Sequence, residues 1–262
     1  MRTTTHLRSS RTLDRRPTTT LPLVLLVATL VVGVAVLAVA CEVTINGIGG
    51  LKGSGDLETQ KYDLEDFTSL DVSHAFQVTV TQSDSFSVSV TADDNVLEFV
   101  EVELRGNTLH IGIDRAGGVN ATLRATITMP QLRGIVASGA SKVNISGFRS
   151  EAEVTLEVSG ASTITGDLES GDVDLEVSGA STIELDGSAE DLVADVSGAS
   201  RLQMDEFQVT DADLDISGAS KVTVKLEGTL SADVSGASKL TYIGEPTLGD
   251  ISVSGASTIQ RE

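Results

Sequence analysis

The chain has 262 residues, with no Trp, two Tyr and six Phe, so its apolar bulk is aliphatic. Its formal charge is −20, and −24 once residues 1–40 with their five Arg and one Asp are set aside. So acidic a body repels phosphate backbones and excludes nucleic acid as a partner, while a lone cysteine, Cys41, excludes an internal disulfide.

Five arginines, Arg2, Arg8, Arg11, Arg15 and Arg16, precede an uncharged stretch at 21–40. Twenty helical residues at about 1.5 Å each span roughly 30 Å, one hydrocarbon core. Residues 1–40 therefore predict an apolar signal peptide or membrane anchor helix. Basic residues ahead of it place the N-terminus in the cytoplasm and the body outside. Cys41 follows Leu37-Ala38-Val39-Ala40, which resembles a bacterial lipobox with Ala38 where Leu is usual. Three fates fit: lipidation of Cys41, an uncleaved signal anchor, or ordinary cleavage near Ala40. The first two leave the body membrane-anchored on the extracytoplasmic side of the cell envelope, and all three export it. Residues 41–56 are Gly-rich, with five Gly between 42 and 56, and read as a tether or a turn-rich start of the fold.

Residues 57–130 predict irregular opening strands. Examples are Phe67 to Val72, Phe76 to Val80, Phe86 to Val90, Leu109 to Ile113 and Leu123 to Met129. Asp93 to Val100 predicts a short helical turn with Asp93 or Asp94 as its N-cap.

From 131 to 262 the chain repeats. Ser-Gly-Ala-Ser occurs seven times, starting at Ser138, Ser159, Ser178, Ser197, Ser217, Ser235 and Ser254. The spacing is 18 to 21 residues. One residue before each copy lie Ala137, Val158, Val177, Val196, Ile216, Val234 and Val253; three before lie Ile135, Leu156, Leu175, Ala194, Leu214, Ala232 and Ile251. Five after the first Ser the column is again aliphatic, from Val143 to Ile259. This is period-two alternation on both sides of a small-residue corner, so each unit is strand, corner, strand. Helices are excluded, because apolar positions do not recur at three and four and Gly interrupts every unit.

A unit of about 19 residues is too short for a four-stranded propeller blade, which needs about 40. The economical solution is all-β: a right-handed parallel β-helix, or solenoid, in which each unit is one coil and like residues stack in columns about 4.8 Å apart. Parallel crossovers prefer that hand. Unit length admits two or three faces per coil. Gly supports the bend, and Ser hydroxyls at the corner satisfy neighbouring backbone.

The chain resembles the head GIN domain family, whose label is auto-transporter adhesin. The resemblance runs through Gly53-Ser54-Gly55, Phe67-Thr68-Ser69-Leu70-Asp71-Val72, the Phe76 to Val90 strand pair, Asp93-Asp94-Asn95-Val96-Leu97, Leu109-His110-Ile111, Met129-Pro130-Gln131-Leu132 and the repeated coils. It covers about residues 50–260 and implies a right-handed β-helix on a surface or periplasmic protein, with no catalytic residues to carry over.

The most suggestive chemistry is an acidic column two residues before each corner: Glu157, Glu176, Asp195, Asp215 and Asp233. Stacked carboxylates repel, and Ca²⁺ with its oxygen ligands would relieve that; the bland alternative is a solvated face with diffuse counterions. No cofactor is required, and the Gly-Gly-x-Gly-x-Asp pattern of calcium β-rolls does not occur. Lys142, Arg201, Lys221 and Lys239 form an outward column on the following strand, suited to cross-face ion pairs, to a weak anion stripe or to a plain solvated face. His74 and His110 lie in strand-like segments with no metal-ligand spacing. The scarcity of aromatic side chains weighs against a polysaccharide-cleaving β-helix enzyme. The expected function is a non-enzymatic scaffold or adhesion module meeting a surface protein or glycan; the alternatives are an extracytoplasmic binding or signalling accessory and, third, that enzyme. The last coil, with few residues after it, leads to the further expectation of end-to-end self-association.

Overall fold

The computed structural model describes residues 50–115 and 117–262. Residues 21–40 and Cys41, with the anchor and lipidation expectations, lie outside the described residues. Among the described residues, no helix is long and apolar enough to cross a membrane.

The opening part contains β1 (Leu51–Lys52), β2 (Leu57–Tyr62), β3 (Ser69–Val72), β4 (Gln77–Gln82), β5 (Ser87–Asp93), α1 (Asp94–Leu97), β6 (Val100–Arg105), β7 (Thr108–Ile113), β8 (Val119–Asn120) and β9 (Leu123–Met129). The repeats supply β10 (Gly134–Ala137) and β11 (Lys142–Arg149), β12 (Val154–Val158) and β13 (Thr163–Glu169), and β14 (Val173–Val177) and β15 (Thr182–Ser188). They continue with β16 (Asp191–Val196) and β17 (Arg201–Val209), β18 (Asp211–Ile216) and β19 (Lys221–Leu226), β20 (Thr229–Val234) and β21 (Lys239–Ile243), and β22 (Thr247–Val253) and β23 (Thr258–Arg261).

Each Ser-Gly-Ala-Ser joins the two members of a pair, and the pairs stack into a β-solenoid. The even-numbered strands from β10 to β22 form one parallel run with β3 and β7, and the odd-numbered strands from β11 to β23 form another with β4 and β9. Coils are two-faced. Only residues 170–172 separate β13 from β14, and 189–190 separate β15 from β16, which leaves no room for a third strand.

From β10 to β20 the first sheet pairs residue for residue, whereas bulges shift the register between β20 and β22 and, in the second sheet, between β11 and β13, β15 and β17, and β17 and β19. Leu156 pairs with Leu175, Leu175 with Ala194, Ala194 with Leu214, and Leu214 with Ala232. Because side chains alternate between faces, the shared register beside the corner sends the same columns inward, and residues such as Leu156, Leu175, Ile183, Val196 and Leu240 are fully buried. The two sheets close on these columns, with Phe148 and Phe207 buried near the C-terminal ends of β11 and β17.

The corner works through its backbone. Gly160 has φ +75°, and a Cβ there would stand 2.5 Å from the carbonyl oxygen of Gly139 in the coil before it. Only glycine meets both conditions. The hydrogen-bond ladder therefore continues round the bend: Ser159, Ala161 and Thr163 donate their N–H groups to Ala137, Gly139 and Ser141 at 2.9 Å each. The last Ser of the tetrapeptide points inward and is buried at Ser141, Ser162, Ser181, Ser200, Ser220 and Ser238. At several corners its hydroxyl serves the backbone, as in Ser141 Oγ donating to the Ser138 carbonyl at 2.9 Å and Ser162 Oγ accepting from Ser141 N–H at 3.3 Å, whereas Ser181 Oγ is buried without a partner.

The opening strands are continuous with the coils. β3 pairs in parallel with β10, and β4 with β11. Between β3 and β4, Ser73-His74-Ala75-Phe76 takes the place of the tetrapeptide, with His74 at φ 59° and Ala75 at φ 65° where later coils use one glycine. The order then inverts. β7 and β9 make a level on the other side of β3 and β4, so the chain lays down an inner level, steps outward and returns to start β10. Antiparallel β6, β5 and β2 finish this end of the sheets. Among the described residues no similar cover lies over β22, every residue of which is exposed, including Leu248, Ile251 and Val253.

Asp93 ties the opening together. It is the residue before α1, but its carboxylate makes no capping bond to the helix. The carboxylate instead accepts N–H groups from Gly55 at 2.6 Å and Thr122 at 2.7 Å. The hydrogen bonds from Thr122 and Gly55 hold its acid below the usual carboxylate range. Gly53 has no room for a Cβ, which would fall 2.4 Å from the Asp93 carboxyl carbon. Residues 51–55 thus wrap a buried carboxylate, and β1 pairs with β8 beside it.

Candidate functional site

The acidic column is a physical ladder. Glu157, Glu176, Asp195, Asp215 and Asp233 sit on β12, β14, β16, β18 and β20 as successive register partners. All five are exposed on the outer face of the first sheet. A neighbouring column alternates Thr155, Asp174, Val193, Asp213 and Ser231, which adds two more carboxylates to the same face. Strand geometry holds the ladder carboxylates in a line, and among the described residues no three His, Cys, Asp or Glu side chains come together as a metal site. The face is a broad negative field.

The column of Lys142, Arg201, Lys221 and Lys239 begins β11, β17, β19 and β21 in the second sheet. Its cations are separated from the acidic ladder by the corner and the core. The ion pairs among the described residues lie elsewhere: Arg105 with Glu101 and Glu103, His110 with Asp71, Arg149 with Glu169, and Arg261 with Glu245. Cross-face pairing of the two columns does not form, because adjacency through the corner in sequence becomes opposite faces in space. The solenoid presents one strongly acidic face and one richer in Thr, Lys and Arg.

At the inverted end the ladder continues with different chemistry. Asp71 and His110 occupy the same column, and His110 Nδ1 lies 2.9 Å from Asp71 Oδ2. His74 belongs to a corner, not a strand: its Nδ1 is 2.7 Å from Ser73 Oγ and accepts the Ile113 N–H at 3.3 Å. These side chains, with Glu101 and Arg105, line a cavity of about 210 Å³. Sequence reasoning missed this grouping because His74 sits where the recognisable corner glycine is missing. A second cavity, of about 320 Å³, gathers Asp66, Phe67, Thr68, Phe86, Asn107, Pro130 and Gln131 from four connecting segments.

Comparison with known proteins places this geometry. The profile described as putative auto-transporter adhesin, head GIN domain, matches residues 66–246. A putative adhesin from Bacteroides fragilis superposes with a TM-score of 0.77 at 23% identity, covering 81% of this chain and 100% of that one. A putative adhesin from Parabacteroides merdae gives 0.63 at 20% identity, covering 81% and 99%. A putative lipid binding protein from Parabacteroides distasonis gives 0.63 at 16% identity, covering 82% and 100%. At these identities the solved structures speak for the fold. No curated protein matches the chain. With the profile spanning most of the solenoid, its corners and the inverted opening level, the chain belongs to the head GIN domain family of putative auto-transporter adhesins.

Proposed function

We propose that this protein is a non-enzymatic adhesion module, exported and held on the extracytoplasmic side of the membrane by residues 1–41. The observation that carries the reading is the form of the body: two long faces of stacked strands, one of them bearing a ladder carboxylate at every level from β12 to β20. Such faces suit contact with an extended partner, a surface protein or glycan, better than conversion of a small substrate in a cleft. The uncharged run at 21–40 and Cys41 supply the tether, and the family's adhesin label agrees with display. Surface digestion tests the display: protease added to intact spheroplasts should remove the body, and Cys41→Ser should abolish labelling with a fatty-acid probe. Cells carrying the chain should bind a glycan- or protein-coated surface more strongly than cells lacking it. A body protected from external protease, or equal adhesion by both cell types, refutes the reading.

A further inference from the structure

The repeat builds flat faces, and departures from it concentrate at one end. There, four segments far apart in sequence converge on the cavity of about 320 Å³: Asp66 to Thr68 before β3, Phe86 before β5, Asn107 in the β6–β7 turn, and Pro130-Gln131 after β9. Loops set on a rigid scaffold are where binding residues concentrate, and this volume lies at the lower end of small-ligand pockets, about 300–1,000 Å³. Its chemistry differs from that of the cavities along the acidic face, which are lined by Asp, Ser, Ala, Leu, Ile, Val and Thr.

Two features point to the ligand. The first is aromatic. Phe67 is fully buried and Phe86 half-buried, with ring centroids 4.9 Å apart and planes tilted by 55°. Phe67 thus braces Phe86, and Phe86 gives the cavity an aromatic surface. The second is polar. Asp66, Asn107 and Gln131 are exposed on the rim, and Thr68 adds a hydroxyl. The Asn107 carbonyl is committed to the N–H groups of Thr68 at 2.9 Å and Ser69 at 3.1 Å, which fixes the turn that carries its side chain. Asp66 is held at φ 62°, a left-handed conformation unusual outside glycine.

We propose that this cavity binds a neutral saccharide. The C–H face of a pyranose carries positive hydrogens that stack on the negative face of an aromatic ring. The amides of Asn107 and Gln131 offer planar donor–acceptor pairs, and the carboxylate of Asp66 a pair of acceptors, that match adjacent hydroxyls. An aliphatic chain would strip water from Asp66, Asn107 and Gln131 without replacing their hydrogen bonds. A polyanionic glycan would meet Asp66 and a body of net charge −24. The assignment rests on the adhesin-like reading and names the ligand class that reading leaves open.

The test uses the full chain in a detergent without a sugar headgroup. Saturation-transfer NMR and calorimetry follow maltotriose, mannotriose and triacetylchitotriose, with trigalacturonate as the charged comparator. At least one neutral trisaccharide should bind, and trigalacturonate should not. Gln131→Ala and Phe86→Leu should each weaken binding roughly 2- to 10-fold, as expected for losing one hydrogen bond or one ring contact. Gln131 is exposed, so its variant reads binding even if Phe86→Leu disturbs packing. No transfer to any neutral saccharide at 10 mM, unchanged affinity in both variants, or preference for trigalacturonate overturns the assignment. Adhesion by cells carrying a chain that binds no saccharide overturns the site alone and leaves the adhesion reading standing.

Discussion

Substituting the corner glycine of one coil tests the stacking account. Gly198 has φ +78°, and a Cβ on it would stand 2.4 Å from the carbonyl oxygen of Gly179. That oxygen accepts the N–H of Ala199 at 2.8 Å, the bond that carries the ladder round the corner. Gly198→Ala therefore incurs about 1–2 kcal/mol for a left-handed alanine. Opening the coil spacing to relieve the contact weakens that bond and adds about 0.5–1.5 kcal/mol. A loss of roughly 1.5–3.5 kcal/mol lowers the melting temperature of a body this size by about 3–14 °C. The control is Gly118→Ala, at an exposed glycine whose added Cβ would meet nothing within 4 Å. Thermal melts followed by circular dichroism should separate the two. Equal melting of Gly198→Ala and wild type would refute the reasoning.

Other outcomes follow from single residues. Asp93 has its acid depressed in the fold, so its contribution is present above the unfolded value of about 3.9 and is lost as pH falls through the lower folded value. Asp93→Asn should melt well below wild type at pH 7, and the gap should close in acid; a gap unchanged by pH would contradict the hydrogen-bonded carboxylate. Asp195 stands between Glu176 and Asp215, each repelling it by about 1 kcal/mol in low salt. Asp195→Asn should raise the melting temperature in 10 mM salt and do nothing in 1 M, where the screening length is about 3 Å; no gain in low salt would sink the ladder argument. At β22, Leu248 is 53% and Val253 48% exposed on an unpaired edge. A second copy turned by a two-fold presents the same edge, so light scattering should show concentration-dependent association that Val253→Lys suppresses; a monomer at every concentration removes that expectation.

The solenoid was legible because every coil repeats one corner. Seven tetrapeptides align the flanking aliphatic columns without reference to anything else, and those columns are the register pairs of the fold. The level of β3 and β4 was hidden because Ser73-His74-Ala75-Phe76 keeps only the Ser and Ala of the motif. The placement of β7 and β9 outside that level was not legible at all. Period-two alternation gives the face of each side chain but not which neighbour a strand will choose. Asp93 or Asp94 read as the helix cap, since Asp is a favoured residue there; the use of Asp93 by Gly55 and Thr122 depends on loops meeting across the fold. The acidic ladder was visible residue by residue. Its separation from the Lys and Arg column was not, because a tight corner in the chain is a change of sheet in space. The saccharide cavity draws on segments with no shared motif, and only the inverted opening brings them together.

Each coil lies on the previous one, residue over residue from β10 to β20 and round the corner. Cysteine cross-linking in a Cys41→Ser background tests it directly. Glu176 and Asp195 are parallel register partners on an exposed face, and neighbouring strands about 4.8 Å apart suit disulfide geometry. Glu176→Cys with Asp195→Cys should oxidise readily to an intramolecular bond. Glu176→Cys with Val193→Cys, on the same face but displaced by two residues, should oxidise far more slowly. Faster closure of the displaced pair, or none in either, would contradict the stacked solenoid.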